Sequence, residues 1–171
     1  MYRFKIYIET TLFNYFFDEN RPGHDDVVEL FQAIKAGDFV AYTSRYVTDE
    51  LKRAPEPKRS DMLNLIEEYG IITLNPDVKA EALARKYINS GIIPASHFYD
   101  SLHIAISAIN GLYAILSYNF HHINRDKTRT LTAGINEVEG YDVVKISTAR
   151  EVMDDAKKFF RGGRTPADGS C

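Results

Sequence analysis

Strand-forming apolar runs alternate with helical segments along the chain, and this alternation constrains the fold more than any other feature. Phe4-Lys5-Ile6-Tyr7-Ile8 is rich in β-branched and aromatic residues and stops near Glu9, as a buried strand does. A short helical piece is expected over residues 12–17, and Pro22-Gly23 then breaks the chain. Val27, Val28, Leu30, Phe31 and Ile34 give residues 24–36 a helical apolar stripe, and Gly37 suits the left-handed position that ends a helix. Residues 39–43 read as a second strand. Ser44 is expected to cap the next helix, which carries Tyr46, Val47 and Leu51. A helix over 60–69, a strand over 71–74 and a helix over 77–89 continue the pattern. Ser96 is expected to cap the most helical segment, where Phe98, Leu102, Ala105, Ile106 and Ile109 share a face. A strand at 113–117, a polar stretch over 119–132, a short helix to Val138, a strand at 143–146 and a helix at 151–160 complete the chain. Such alternation predicts an α/β fold, a three-layer α/β/α sandwich around a mostly parallel central sheet. No internal repeat or long linker interrupts it, so residues 1–160 are expected to form a single domain and 161–171 a flexible tail.

Charge and cysteine content narrow the chemistry. Lys and Arg number 21 against 24 Asp and Glu, a net charge of −3. A chain of that balance does not bind nucleic acid through bulk charge. A polyanionic substrate would require local cations or bound metal. The single cysteine, Cys171, excludes an intrachain disulfide and a Cys-based zinc site within one chain. The N-terminal segment does not read as a signal peptide, and no apolar run approaches the ~18 residues of a membrane span. A cytoplasmic location is expected, with no membrane partner.

In open parallel sheets, sites form outside the carboxyl ends of the strands. Glu9 stands at the end of the first strand and Asn119 just past the 113–117 strand. Asp100 lies near the start of a helix, where the helix dipole favours a carboxylate. Glu50 lies beside the buried stripe of the helix leaving the second strand, with Asp49 as the alternative. Carboxylates gathered at one edge repel each other unless a cation sits among them. All-oxygen ligation selects Mg²⁺ or Mn²⁺. Such an ion suits phosphodiester hydrolysis, because it activates water and offsets phosphate charge.

Four segments then resemble one family. Tyr7-Ile8-Glu9-Thr10-Thr11, Val47-Thr48-Asp49-Glu50-Leu51, Tyr99-Asp100-Ser101-Leu102-His103-Ile104-Ala105 and Leu116-Ser117-Tyr118-Asn119-Phe120-His121-His122-Ile123 are similar to the motifs of PIN domains, in order and at matching separations. The resemblance spans roughly residues 5–151 and implies a Mg²⁺- or Mn²⁺-dependent ribonuclease, often the toxin of a VapC-type toxin–antitoxin pair. Its acids fall on Glu9, as in a subgroup with Glu first, on Glu50 and on Asp100. The fourth position, often Asp, falls on Asn119, and this departure bears on a second metal ion. Thr11 matches the small polar residue that orients the first acid. RNA as substrate, an antitoxin protein as partner and a homodimer follow from the same resemblance.

Each residue also has a structural reading. Asn119 can cap a following turn. His103 and His122 can be hydrogen-bonded structural histidines, although His122 is also a candidate for contact with substrate. Arg125, Lys127 and Arg129 form a basic run past the site, and Arg45 leaves the neighbouring strand; all four are candidates for holding RNA phosphates. Tyr15, Phe16 and Phe17 read as core or dimer surface. Two other functions compete with the nuclease: a PIN-like module that binds nucleic acid or protein without cutting, and a Mg²⁺-dependent phosphatase, which would want an Asp nucleophile where Glu9 stands.

Overall fold

The computed structural model describes residues 3–75 and 77–162. Cys171, and the expected tail beyond Gly162, lie outside the described residues. The elements are β1 (Phe4–Ile8), α1 (Thr10–Phe17), α2 (His24–Ala36), β2 (Phe39–Ser44), α3 (Arg45–Leu51), α4 (Lys58–Glu68), β3 (Ile72–Leu74) and α5 (Val78–Asn89). A 3₁₀ turn (Ala95–His97), α6 (Phe98–Ile109), β4 (Ala114–Leu116), α7 (Asp126–Val138), β5 (Lys145–Ser147) and α8 (Ala149–Arg161) complete the order.

The five strands form one sheet in the order β3-β2-β1-β4-β5, and every pairing is parallel. β1 is central because its sequence is apolar on both faces. Ile6, Tyr7 and Ile8 are all fully buried, and each buried aliphatic side chain contributes about 1.5–3 kcal/mol. β3 forms one edge, and Ile72 stays exposed there. Moving from β1 to β2 and from β3 to β4 steps across the sheet in opposite directions. Right-handed crossovers therefore put the intervening helices on opposite faces. α2 packs with α1 and α8, and α5 packs with α6 and α7, which gives the three layers. Gly37 takes φ 88° at the end of α2, where it returns N–H bonds to the last turn.

Four local expectations are corrected. Ser44 stands at the start of α3 but its side chain makes no capping bond. Its hydroxyl lies 2.7 Å from the Tyr7 hydroxyl instead, because a fully buried phenol needs a partner. Ser96 does not cap α6; the chain passes from Pro94 through the 3₁₀ turn, and His97 holds the cap position without a side-chain bond. Finally, α7 is longer than expected and begins at Asp126. Lys127 and Arg129 are thus helical rather than part of a loop. α8 also starts two residues before the expected Glu151, because Thr148 and Glu151 form a reciprocal capping box.

Candidate functional site

The sheet order reverses between β1 and β4, and the register there pairs Ile8 with Leu116. Ligand crevices of parallel sheets open at such a switch point. A cleft of about 530 Å³ lies here, and Glu9, Thr10, Thr11, Glu50, Asp100 and Asn119 all line it. Residues from four separate segments are brought to one place.

Glu9 is only 4% exposed. It holds the cap position of α1, and its backbone N–H bonds to the Leu116 carbonyl at 3.2 Å. Oε2 accepts three hydrogen bonds: from the Thr11 hydroxyl at 2.6 Å, the Thr11 backbone N–H at 3.2 Å and the Ser117 hydroxyl at 2.8 Å. Oε1 takes none of these three. Burial pushes the carboxyl up to about 7, against the pull of the same hydrogen bonds, and the nearby Glu50 adds to the rise. The bonds fix one oxygen and leave the other to meet a cation.

Both hydroxyls have a second task. The Thr11 hydroxyl accepts the Tyr118 N–H at 2.8 Å, and the Ser117 hydroxyl accepts the Asn119 N–H at 3.0 Å. The segment after β4 is therefore stitched to the start of α1 through the Glu9 carboxylate. Thr10 donates to Oε2 of Glu50 at 2.8 Å, so adjacent threonines orient two different acids. Glu50 itself is exposed.

Asp100 lies in the first turn of α6. Burial raises its pKa, while His122, His97 and a hydrogen bond from the Asn119 side chain counter that rise. Asn119 Oδ1 accepts the His122 N–H at 3.1 Å, and the Asn119 carbonyl accepts from Ile123 and Asn124. Asn119 thus caps the turn after β4 and lies beside Asp100. His103 is buried, with Nδ1 2.8 Å from the Tyr7 hydroxyl, and burial lowers its pKa to about 4.

The expected cations do not join the cleft. Arg45 is exposed and lies 3.8 Å from Asp49. Arg125 donates to the Ile92 carbonyl at 2.7 Å and Lys127 to the Gly91 carbonyl at 2.9 Å. Arg129 donates to Asn124 Oδ1 and lies 3.6 Å from Glu151. The Arg125 and Lys127 contacts tie the start of α7 to the segment before α6. Arg53, from just after α3, is the cation that lines the cleft, together with Asn14, Tyr46, Asp49, Tyr99, His103 and His121. Arg53 reads as a charged neighbour of Lys52, and Ser117, although inside the fourth quoted segment, carries no pattern of its own. His97 was also missed. Its spacing of three residues before Asp100 was a usable signal, because such residues are neighbours on a helical turn.

Among the described residues, His97, Asp100 and His122 form the only trio of His, Cys, Asp or Glu whose ligand atoms all lie within 4.8 Å of one another. Glu9, Glu50 and Asp100 share the cleft more loosely. Their oxygen donors, the amide of Asn119 and the unbonded Oε1 of Glu9 suit a hard dication such as Mg²⁺ or Mn²⁺. Drawing the buried Glu9 carboxyl back to its ionised form is what such a charge does.

No protein-family model matches the chain, and no curated protein matches it in sequence. Among solved structures, the chain is similar to a protein described as Mycobacterium tuberculosis VapC20, a Sarcin-Ricin loop cleaving toxin. The two share 13% identity at a TM-score of 0.53, over 82% of this chain and 98% of that one. The likeness shows the fold, a parallel α/β/α sandwich similar to that of the toxin.

Proposed function

We propose that this chain is a divalent-metal-dependent endoribonuclease of the PIN type, acting in the cytoplasm as the toxin of a toxin–antitoxin pair. The observation that carries the reading is the meeting of Glu9, Glu50 and Asp100 with Thr11 and Asn119 in one cleft at the switch point of the sheet. The fold shared with a Sarcin-Ricin loop cleaving toxin supports it. So do the four sequence segments, since each contributes a residue to that cleft.

Glu9, Glu50 and Asp100 would hold Mg²⁺ or Mn²⁺. Bound there, the ion supplies activated water and offsets charge on the scissile phosphate. The protein's own groups do the positioning. Thr11 and Ser117 fix Oε2 of Glu9, Thr10 fixes Glu50, and Asn119 lies beside Asp100. Arg53 is placed to meet a substrate phosphate. The RNA occupies the cleft, while an antitoxin and a second copy of the chain are partners of the same reading.

The test is cleavage of RNA by the purified chain with Mg²⁺, with EDTA, and with Mg²⁺ restored. Cleavage that disappears with EDTA and returns with the ion is the expected result. Cleavage indifferent to EDTA overturns the reading, and release of phosphate from small phosphoesters without RNA cleavage would favour the phosphatase. The neutral amide of Asn119 is the one observation on the side of a non-cutting binding module. Absence of both cleavage and Mn²⁺ binding would decide for that module.

A further inference from the structure

Two imidazoles close on one acid of the cleft from outside it. His97 ends the 3₁₀ turn, Asp100 lies in the first turn of α6, and His122 belongs to the turn after β4. One ligand atom of each lies within 4.8 Å of the other two. The His97 and His122 ring centroids are 3.8 Å apart with planes at 33°, and His97 Nδ1 is 3.4 Å from Asp100 Oδ2. His122 Nδ1 is shut off from solvent and has no hydrogen-bond partner. Buried polar atoms are nearly always bonded, so an unspent ring nitrogen in this position needs an explanation.

We propose that His97, Asp100 and His122 form a site for a borderline transition-metal dication of the Zn²⁺ class, and that its occupancy takes Asp100 away from the carboxylate cleft. Two nitrogens and one oxygen are the donors Zn²⁺ prefers, whereas Mg²⁺ prefers oxygen alone. Bonds of ~2.0–2.1 Å put tetrahedral ligands ~3.4 Å apart. A trio already within 4.8 Å reaches that spacing by side-chain rotation, and His97 is exposed enough to move. Three protein ligands leave a position open to water. The trio carries one formal negative charge and the set of Glu9, Glu50 and Asp100 carries three, so hard and borderline ions sort between them. Asp100 belongs to both sets, which makes the second ion an antagonist of the first. This last step rests on the proposed nuclease; the binding site does not.

The binding test uses the full chain stripped with EDTA, titrated with Zn²⁺ by calorimetry and with Co²⁺ by visible absorption. Wild type is expected to bind Zn²⁺ and to show d–d bands with Co²⁺. His97→Gln, at an exposed position, should weaken Zn²⁺ by ~10-fold or more, and Glu9→Gln by less than about twofold. Wild-type affinity in His97→Gln overturns the site, and so does a loss in Glu9→Gln equal to that in His97→Gln. The antagonism is read separately. Zn²⁺ should raise the Mg²⁺ concentration needed for RNA cleavage in wild type and leave His97→Gln unaffected. An unchanged Mg²⁺ requirement in wild type overturns the withdrawal of Asp100. If the chain cuts no RNA at all, the nuclease reading fails while the calorimetry and absorption still decide the site.

Discussion

The Ser117 hydroxyl donates to Oε2 of Glu9 at 2.8 Å, tying together residues 108 positions apart. A hydrogen bond to a buried carboxylate is worth about 1.5–3 kcal/mol. Ser117→Ala should therefore destabilise the metal-free chain by that amount at pH 8, where Glu9 is ionised. The loss should shrink at pH 5, where the carboxyl is protonated. Denaturant unfolding in EDTA at the two pH values checks this; an equal loss at both would mean that the hydroxyl serves the fold without serving the carboxylate.

Glu9→Gln should stabilise the metal-free chain at alkaline pH. Burial holds the folded carboxyl at about 7 against an ordinary value of 4.5. Between these values the folded chain keeps a proton that the unfolded chain releases, so wild-type stability falls as pH rises through that window. The fall is about 3 kcal/mol at full extent. Gln removes the ionisation, so its advantage should be present at pH 8 and gone below pH 4.5. A variant less stable than wild type at pH 8 would show that the ionised carboxylate is a net structural partner.

Asp100→Asn should abolish RNA cleavage while the thermal midpoint in EDTA stays equal or rises. The substitution removes one anion from a group of three and relieves a buried charge whose pKa burial has raised. Cleavage near the wild-type rate at saturating Mg²⁺ would remove Asp100 from the site.

Asn119→Asp should have opposite effects with and without metal. The new carboxylate keeps the bond from the His122 N–H but faces Asp100 where an amide donor stood. The thermal midpoint in EDTA should drop from like-charge repulsion. Mn²⁺ should bind more tightly, and a second ion should become detectable without RNA, since a fourth anion lessens the mutual repulsion of two close dications. Calorimetric titration of both proteins reads this out. Metal affinity no better than wild type would leave Asn119 as a cap of the turn alone.

Much of the architecture was legible because it is written in local patterns. The run ending at Glu9 forms β1, and the stripe through Val27, Leu30, Phe31 and Ile34 lies buried on α2, whose bounds match the expected ones. Glu9 and Asn119 could be placed at one edge in advance because the carboxyl-edge rule needs only strand ends, while Glu50 and Asp100 followed from their helix positions and from the resemblance to PIN motifs. What escaped depends on tertiary partners. Ser44 bonds Tyr7 rather than its own helix, which no local rule anticipates. Arg125, Lys127 and Arg129 read as free charges, yet two of them spend their donors on carbonyls before α6 and the third on Asn124. His97 and His122 come together only because the 3₁₀ turn and the turn after β4 meet over Asp100.

The place of β1 in the sheet sets when the cleft can first form. Its neighbour β2 follows within the next few dozen residues, but β4, on its other side, does not arrive until residue 114. Until then Glu9 lacks Ser117 and Asn119. A ribosome partway through the message therefore carries a chain that cannot assemble the cleft, because pairing across such a sequence distance comes late.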